Sequence, residues 1–221
     1  MNLNEGELFD PSGDFDQWDR TRPHRHQPAA VCFLTMRLND SIPKSVLQSW
    51  HLERLEFLMR HGVDCSGDWE TGYQRLTSEQ QEEFKKYFAR QRELTLDNCF
   101  GKCELANPVA SEEVAKSLLR FHGDRYWMGD FVIMPNHVHC LVAFKSVDIA
   151  KTQPGGWMRY SARQINKLIG RSGSLWFPEP FDHFVRSNSQ REYLRRYIRD
   201  NPAKAGITGE KFLYRASGGR V

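Results

Sequence analysis

The chain has 221 residues, 39% of them hydrophobic and 27% charged, with a formal net charge of +3. That is an ordinary globular composition with ample chain for a core, which excludes collagen-like and compositionally disordered classes. No apolar run approaches the roughly 20 residues that span a bilayer, so no membrane partner is expected. The opening Met1-Asn-Leu-Asn-Glu-Gly-Glu7 is acidic and polar, unlike a secretory signal. Five cysteines (32, 65, 99, 103 and 140) are odd in number and scattered, the pattern of reduced thiols in a cytoplasmic protein. Cys99-x3-Cys103 has the form of half a zinc site, but no second pair completes it. The small net charge hides an asymmetry: residues 151–221 carry a balance of +9 and residues 1–150 a balance of −6. A basic C-terminal third is what a polyanion-binding surface needs.

In chain order, residues 1–28 are polar and turn-rich and are expected to form an extended arm. Its His24 and His26 are spaced i, i+2 but have no apolar strand to hold them. Ala30 to Leu38 is a strand candidate. Pro43 opens a helix of about 18 residues that includes Leu47, Trp50, Leu55 and Leu58. A linker with Gly62, Gly67 and Gly72 follows. Ser78 precedes a charged helix with Phe84, Tyr87 and Phe88 on one stripe. Ser111 is a candidate cap for a helix carrying Val114, Leu118 and Phe121. Tyr126 to Met134 reads as a strand, and Pro135-Asn136 as a turn.

The strand that returns, from 137 to 144, carries His137-Val138-His139. Alternation puts both imidazoles on one face with Leu141 and Ala143. Val138, Cys140, Val142 and Phe144 take the other face and supply a core. Two histidines on the polar side of a half-buried strand suit half of a divalent-metal site. They equally suit two ordinary surface histidines. Gln153-Pro-Gly-Gly156 reads as a break. A helix with Met158, Ala162, Ile165 and Ile169 follows, and Gly170 stops it. A loop with Trp176, Pro178 and Pro180 leads to Phe181-Asp182-His183. Ser189 is a candidate cap for the last clear helix, and Asn201-Pro202 is expected to end it. Strands mixed with helices around a central hairpin indicate an α+β domain with an antiparallel sheet.

On that last helix Tyr193, Tyr197 and Asn201 are spaced i, i+4, i+8 and drift slowly around one face. Leu194 and Ile198 define a neighbouring face that can pack on a core. Arg195, Arg196 and Arg199 supply nearby charge. A tyrosine among arginines, with an amide one turn on, can attack a phosphodiester. A phenol with a pKa near 10 then needs cations or a metal to stabilise the developing charge. Either tyrosine can also be an amphipathic core or rim residue.

Together these segments resemble the HUH single-tyrosine transposases, and most closely the REP-associated tyrosine transposases. The matching stretches are Met134-Pro-Asn-His-Val-His139, Arg163-Gln-Ile-Asn-Lys-Leu-Ile-Gly170, Leu175-Trp176 with Phe181-Asp182-His183-Phe-Val-Arg186, and Tyr197-Ile-Arg-Asp-Asn-Pro-Ala-Lys-Ala-Gly206. Phe33 to Asp40, Leu105 to Pro108 and Phe121 to Tyr126 also fit. The likeness runs in order over residues 8–207. It implies a ferredoxin-like or RRM-like antiparallel sheet with helices on one face and an extra helical insertion at about 44–100. It also implies a transposase domain over 29–207, with an arm at 1–28 and a tail at 208–221.

The resemblance further implies Mg²⁺ or Mn²⁺ held by His137, His139 and Asn201. Tyr197 matches the nucleophile, by its spacing to Asn201-Pro202; Tyr193 is the competitor. Arg159, Arg163, Arg186, Arg195, Arg196 and Arg199 are the expected DNA contacts. The implied activity is metal-dependent cleavage of single-stranded DNA at palindromic repeat hairpins and strand transfer through a 5′-phosphotyrosine, by a monomer or a homodimer. The chain departs from the family's usual Trp-Gln at Trp176-Phe177 and from its usual Trp-Lys at Trp157-Met158. Those departures support an alternative, a relative that binds hairpins without cutting them. A third reading is a metal hydrolase in which water replaces Tyr197.

Overall fold

The computed structural model describes residues 6–19, 23–64 and 68–217; Cys65, Gly67, the first five residues and the last four of the tail lie outside them. In chain order the elements are β1 (Asp16–Asp19), β2 (Pro23–His26), β3 (Val31–Arg37), α1 (Lys44–Arg60), α2 (Trp69–Gln74), α3 (Ser78–Asp97), α4 (Pro108–Leu119), β4 (Tyr126–Ile133), β5 (His137–Phe144), α5 (Val147–Leu168), β6 (Phe181–Phe184), α6 (Asn188–Lys204) and β7 (Leu213–Arg215). The chain divides into two units, Met1–Asn39 with Lys102–Val221, and Asp40–Gly101.

The larger unit is an α+β fold. Its five-stranded antiparallel sheet has the order β6-β3-β5-β4-β7. The succession β3, α4, β4, β5, α5, β6 with β3 and β5 at the centre is the ferredoxin-like arrangement. Strand alternation sorts the side chains. Leu34, Met36, Val138, Cys140 and Val142 meet Val114, Leu118, Trp157 and Ile165 of α4 and α5. Val31, Phe33, Val132, Leu141 and Ala143 meet Leu194, Tyr197 and Ile198 of α6 on the opposite face. β5 is therefore buried along both faces, not half-buried as its alternation implied. Leu and Ile one turn apart on α6 act as the apolar face that the sequence indicated, and their docking closes the histidine face.

Several local expectations are corrected. α5 runs straight through Gln153-Pro-Gly-Gly156, with Gln153, Pro154, Trp157 and Met158 on its buried face. Burial of that face outweighs the roughly 3 kcal/mol that a helix-interior proline costs. Ser146, whose side chain accepts from Ile149 N, is the cap. α6 likewise continues past Asn201-Pro202 to Lys204. So near the C-terminus the missing proline N–H forfeits a single bond, and both residues are buried. Its cap is Ser187, not Ser189. Asn107, not Ser111, caps α4. Ser111 is a buried residue of its first turns, and Phe121 lies beyond its end.

The expected arm contains a hairpin, β1 with β2. His24 and His26 are buried. His24 sits between two carboxylates, Nδ1 2.5 Å from Asp182 Oδ1 and Nε2 2.9 Å from Glu179 Oε1. Its pKa is raised, chiefly by the Asp182 hydrogen bond. Side chains from 155 or more residues away thus replace the apolar strand that the sequence lacked locally. Upstream, Glu7 pairs with Ala30, and the Phe9 ring stacks on Phe184 at 4.4 Å.

The unit Asp40–Gly101 is helical. Phe57, Leu58, Leu76, Phe84 and Phe88 form one cluster, and Ile42, Trp50 and Leu96 another. Thr77 and Gln80 make a reciprocal capping box at α3. Tyr87 leaves the predicted stripe; it is exposed, and its hydroxyl donates to Glu53. The expected glycine linker contains α2, where Gly72 packs so tightly that a Cβ would lie 2.7 Å from Leu58 Cδ1.

Candidate active site

β5 and α6 bring His137, His139, Tyr197 and Asn201 into one buried cluster. Register pairs His137 with Arg37 and His139 with Thr35 on β3. The two imidazole rings are 4.5 Å apart between centroids. The Tyr197 ring lies 5.4 Å from that of His139, and Phe33 packs at 5.1 Å from His139 and 5.9 Å from Tyr197. Asn201, one helical turn past Tyr197, interacts through its side chain with His137. The i, i+4 spacing on α6 and the i, i+2 spacing on β5 thus converge because Leu194 and Ile198 seat the helix on the strand.

Two neighbours orient the imidazoles. His137 Nδ1 lies 2.7 Å from Asn136 Oδ1. An amide oxygen only accepts, so Nδ1 carries the proton and Nε2 presents a lone pair. That Nε2 is buried and has no hydrogen-bond partner of acceptable geometry. Burial pushes the His137 pKa down to about 3, with the Asn201 interaction opposing, so the ring is neutral at physiological pH. His139 Nδ1 is bound to the Thr35 hydroxyl at 2.9 Å, which turns its Nε2 to the far side of the ring. Neutral imidazoles with their second nitrogen fixed by a hydrogen bond are what metal ligation requires. The two imidazoles and an amide fit a divalent ion, and the set contains no carboxylate. Among the described residues no group of three or more His, Cys, Asp or Glu is placed to hold a metal.

Tyr193 differs from Tyr197. It is 57% exposed and stacks on Tyr197 at 6.4 Å, and among the described residues its ring packs on neither histidine. Lys204 Nζ lies 5.0 Å from the Tyr197 ring centroid. The expected DNA-contacting arginines are divided. Arg159 and Arg163 are exposed on α5, across the sheet from Tyr197. Arg186 precedes α6 and Arg196 lies on it, both exposed. Arg195 is held by Asp130 and Glu192, and Arg199 by Asp200. Thr35, Asn136 and Lys204 were not singled out from sequence as site residues. Asn136 adjoins the histidine motif, but Thr35 is 104 residues from His139 and enters the site only through strand register.

Fold and site define an α+β protein with a buried tyrosine beside a neutral His137, a buried His139 and an amide. No protein-family model matches the chain, and no curated protein matches it. A solved structure described as "Structure of the REP associates tyrosine transposase bound to a REP hairpin" is similar, at 16% identity over 83% of this chain and 72% of that chain, with a TM-score of 0.40. A likeness at that level leaves the site to stand on its own geometry.

Proposed function

We propose that the chain is a metal-dependent endonuclease and strand transferase for single-stranded DNA, acting on palindromic repeat hairpins through a 5′-phosphotyrosine on Tyr197. The observation that carries this reading is the convergence of His137, His139 and Asn201 beside the Tyr197 ring. Mg²⁺ or Mn²⁺ held by His137, His139 and Asn201 would supply Lewis-acid polarisation of the scissile phosphate. Asn136 holds His137 in the ligating tautomer, and Thr35 orients the His139 ring. The Tyr197 phenol loses its proton, and its oxygen forms the new bond to phosphorus. The bond from phosphorus to the 3′ oxygen breaks, and that oxygen takes a proton and leaves as a free 3′-OH. Attack by another 3′-OH on the phosphotyrosine reverses the step and joins a different strand. Lys204 offers a counter-charge to the phenolate.

The reading is tested by incubating the protein with labelled single-stranded hairpin DNA and Mn²⁺. A covalent adduct that chelator abolishes and Tyr197→Phe removes is expected; Tyr193→Phe retains it. An undiminished adduct from Tyr197→Phe overturns the assignment. One observation favours a second reading, hairpin binding without cleavage: Tyr197 is 8% exposed and the histidines no more than 1%. A phosphodiester therefore reaches the tyrosine only if α6 moves. Hairpin affinity that persists in chelator, with no adduct on any hairpin, supports that reading.

A further inference from the structure

Across the sheet from Tyr197, the α4–α5 layer holds a second cationic feature. A cleft of about 280 Å³ lies between the end of α4 and the middle of α5, lined by Arg120, Arg125, Arg159, Phe121 and Tyr160, with no carboxylate in its wall. The Arg125 guanidinium lies over the Phe121 ring at 3.8 Å, and that of Arg120 lies 5.5 Å from the same ring. Among the described residues the other side-chain bond of Arg125 is a long one, 3.5 Å, to Gln153 Oε1. Among the described residues none of the three arginines is ion-paired with a carboxylate. Arg195, Arg199, Arg171 and Arg215, by contrast, each have an acidic partner. Three uncompensated guanidinium groups around one concavity repel one another, and the arrangement is relieved by an anion. Stacking on Phe121 fixes the plane of the Arg125 fork, which lowers the entropy cost of a bidentate contact.

We propose that this cleft binds a phosphate ester of nucleotide size. Planar guanidinium forks match phosphate oxygens bidentately. The volume exceeds that of a bare phosphate and lies near the lower end of the range of about 300–1,000 Å³ for small-molecule sites. Tyr160 supplies aromatic surface for the attached base, and the Thr152 hydroxyl and Gln153 amide line the same wall. The nucleotide unit comes either from free nucleoside monophosphate or from an unpaired stretch of single-stranded DNA. Neither source involves Tyr197, so the cleft and the proposed chemistry stand or fall separately.

Gly156 provides a steric test. It is helical and lines the cleft, and a Cβ built there meets only Gln153 Nε2, at 3.8 Å, so the first atom of a side chain is accommodated without a clash. Binding of AMP, of inorganic phosphate as competitor, and of a labelled oligothymidylate is measured on the full chain by calorimetry and anisotropy. Saturable AMP binding is expected, weakened about tenfold or more by Gly156→Glu. The melting temperature of that variant should be no lower than that of the wild type, because glycine is a poor helix former. Where DNA is the source, Gly156→Glu also weakens oligothymidylate binding. Replacing both Arg120 and Arg125 with Gln then reduces its salt slope by about 1.4, at about 0.7 per charge. Where free nucleotide is the source, oligothymidylate binding is unchanged. Tyr197→Phe leaves AMP binding intact. The proposal is overturned if neither AMP nor oligothymidylate binds, or if Gly156→Glu and the double arginine variant bind both as the wild type does.

Discussion

His137→Leu distinguishes a ligand histidine from a core histidine. His137 is fully buried and its pKa falls from 6.5 to about 3, chiefly through burial. The unfolded chain takes up a proton below 6.5 that the folded protein refuses. The contribution of His137 to stability is therefore complete above 6.5 and lost as the pH falls toward 3. At pH 5 the deficit is about 1.5 pH units at about 1.36 kcal/mol each, or ~2 kcal/mol. Leucine has no proton to refuse. It also deletes the buried Nε2, which recovers about 1–3 kcal/mol, and forfeits the contacts to Asn136 and Asn201, which together cost about 1–3 kcal/mol. In chelator, the variant should lie within about 2 kcal/mol of the wild type at pH 7.5. It should gain ~2 kcal/mol on the wild type at pH 5, a relative shift of about 4–8 °C in melting temperature for a chain of this size. Thermal melts at the two pH values measure this. Adding Mn²⁺ at pH 7.5 should raise the melting temperature of the wild type alone, and adduct formation should be lost in the variant. A variant destabilised by more than about 3 kcal/mol at both pH values would refute the reasoning about burial. Equal Mn²⁺ stabilisation of both proteins would refute the ligand role.

Other consequences follow from particular contacts. His24→Gln leaves Glu179 and Asp182 facing each other without a cation, at a cost of about 3 kcal/mol. Because the His24 pKa is raised, its contribution is full below 6.5 and lost as pH rises through its folded value. Wild-type melting should therefore fall on the alkaline side while the variant's does not; a parallel fall in both would contradict the clamp. Thr35→Val removes the hydroxyl from His139 Nδ1 and should slow adduct formation by about 10–100-fold, with hairpin affinity unchanged; an unaltered rate would remove Thr35 from the site. Pro154→Ala restores a backbone donor inside α5 and should raise stability by about 1 kcal/mol, the helix gain of about 3 being reduced by two lost methylenes at about 0.8 each. A less stable variant in chemical denaturation would count against it.

The strands β3, β4 and β5 are legible in the sequence because their signals are local; β1, β2 and β7, short and without apolar alternation, are not. Period-two alternation in 137–144 assigned each side chain of β5 to its face, and the i, i+4 spacing placed Tyr197 and Asn201 on one side of α6. The breaks were misread for the same reason. Pro154 and Pro202 carry strong local penalties, yet both lie within helices whose buried faces supply more free energy than the prolines cost. Serines at 111 and 189 resembled caps, but Asn107 and Ser187 sit where the chain enters each helix in extended conformation.

The sequence by itself determined which residues can take part: two histidines on one strand face, a tyrosine and an amide one turn apart, and a basic C-terminal third. Tertiary structure decided what those residues become. Docking Leu194 and Ile198 on the sheet converts a strand that looked half-exposed into a closed site with a neutral, fully buried His137. Strand register supplies Thr35 to His139 from 104 residues away. Sheet topology sends Arg159 and Arg163 to the face opposite Tyr197 and gathers Arg120, Arg125 and Arg159 around a cleft that no local pattern announces. Periodicity constrains a side chain relative to its own helix or strand; its neighbours across elements, and hence its charge state and ligands, are fixed only when those elements pack.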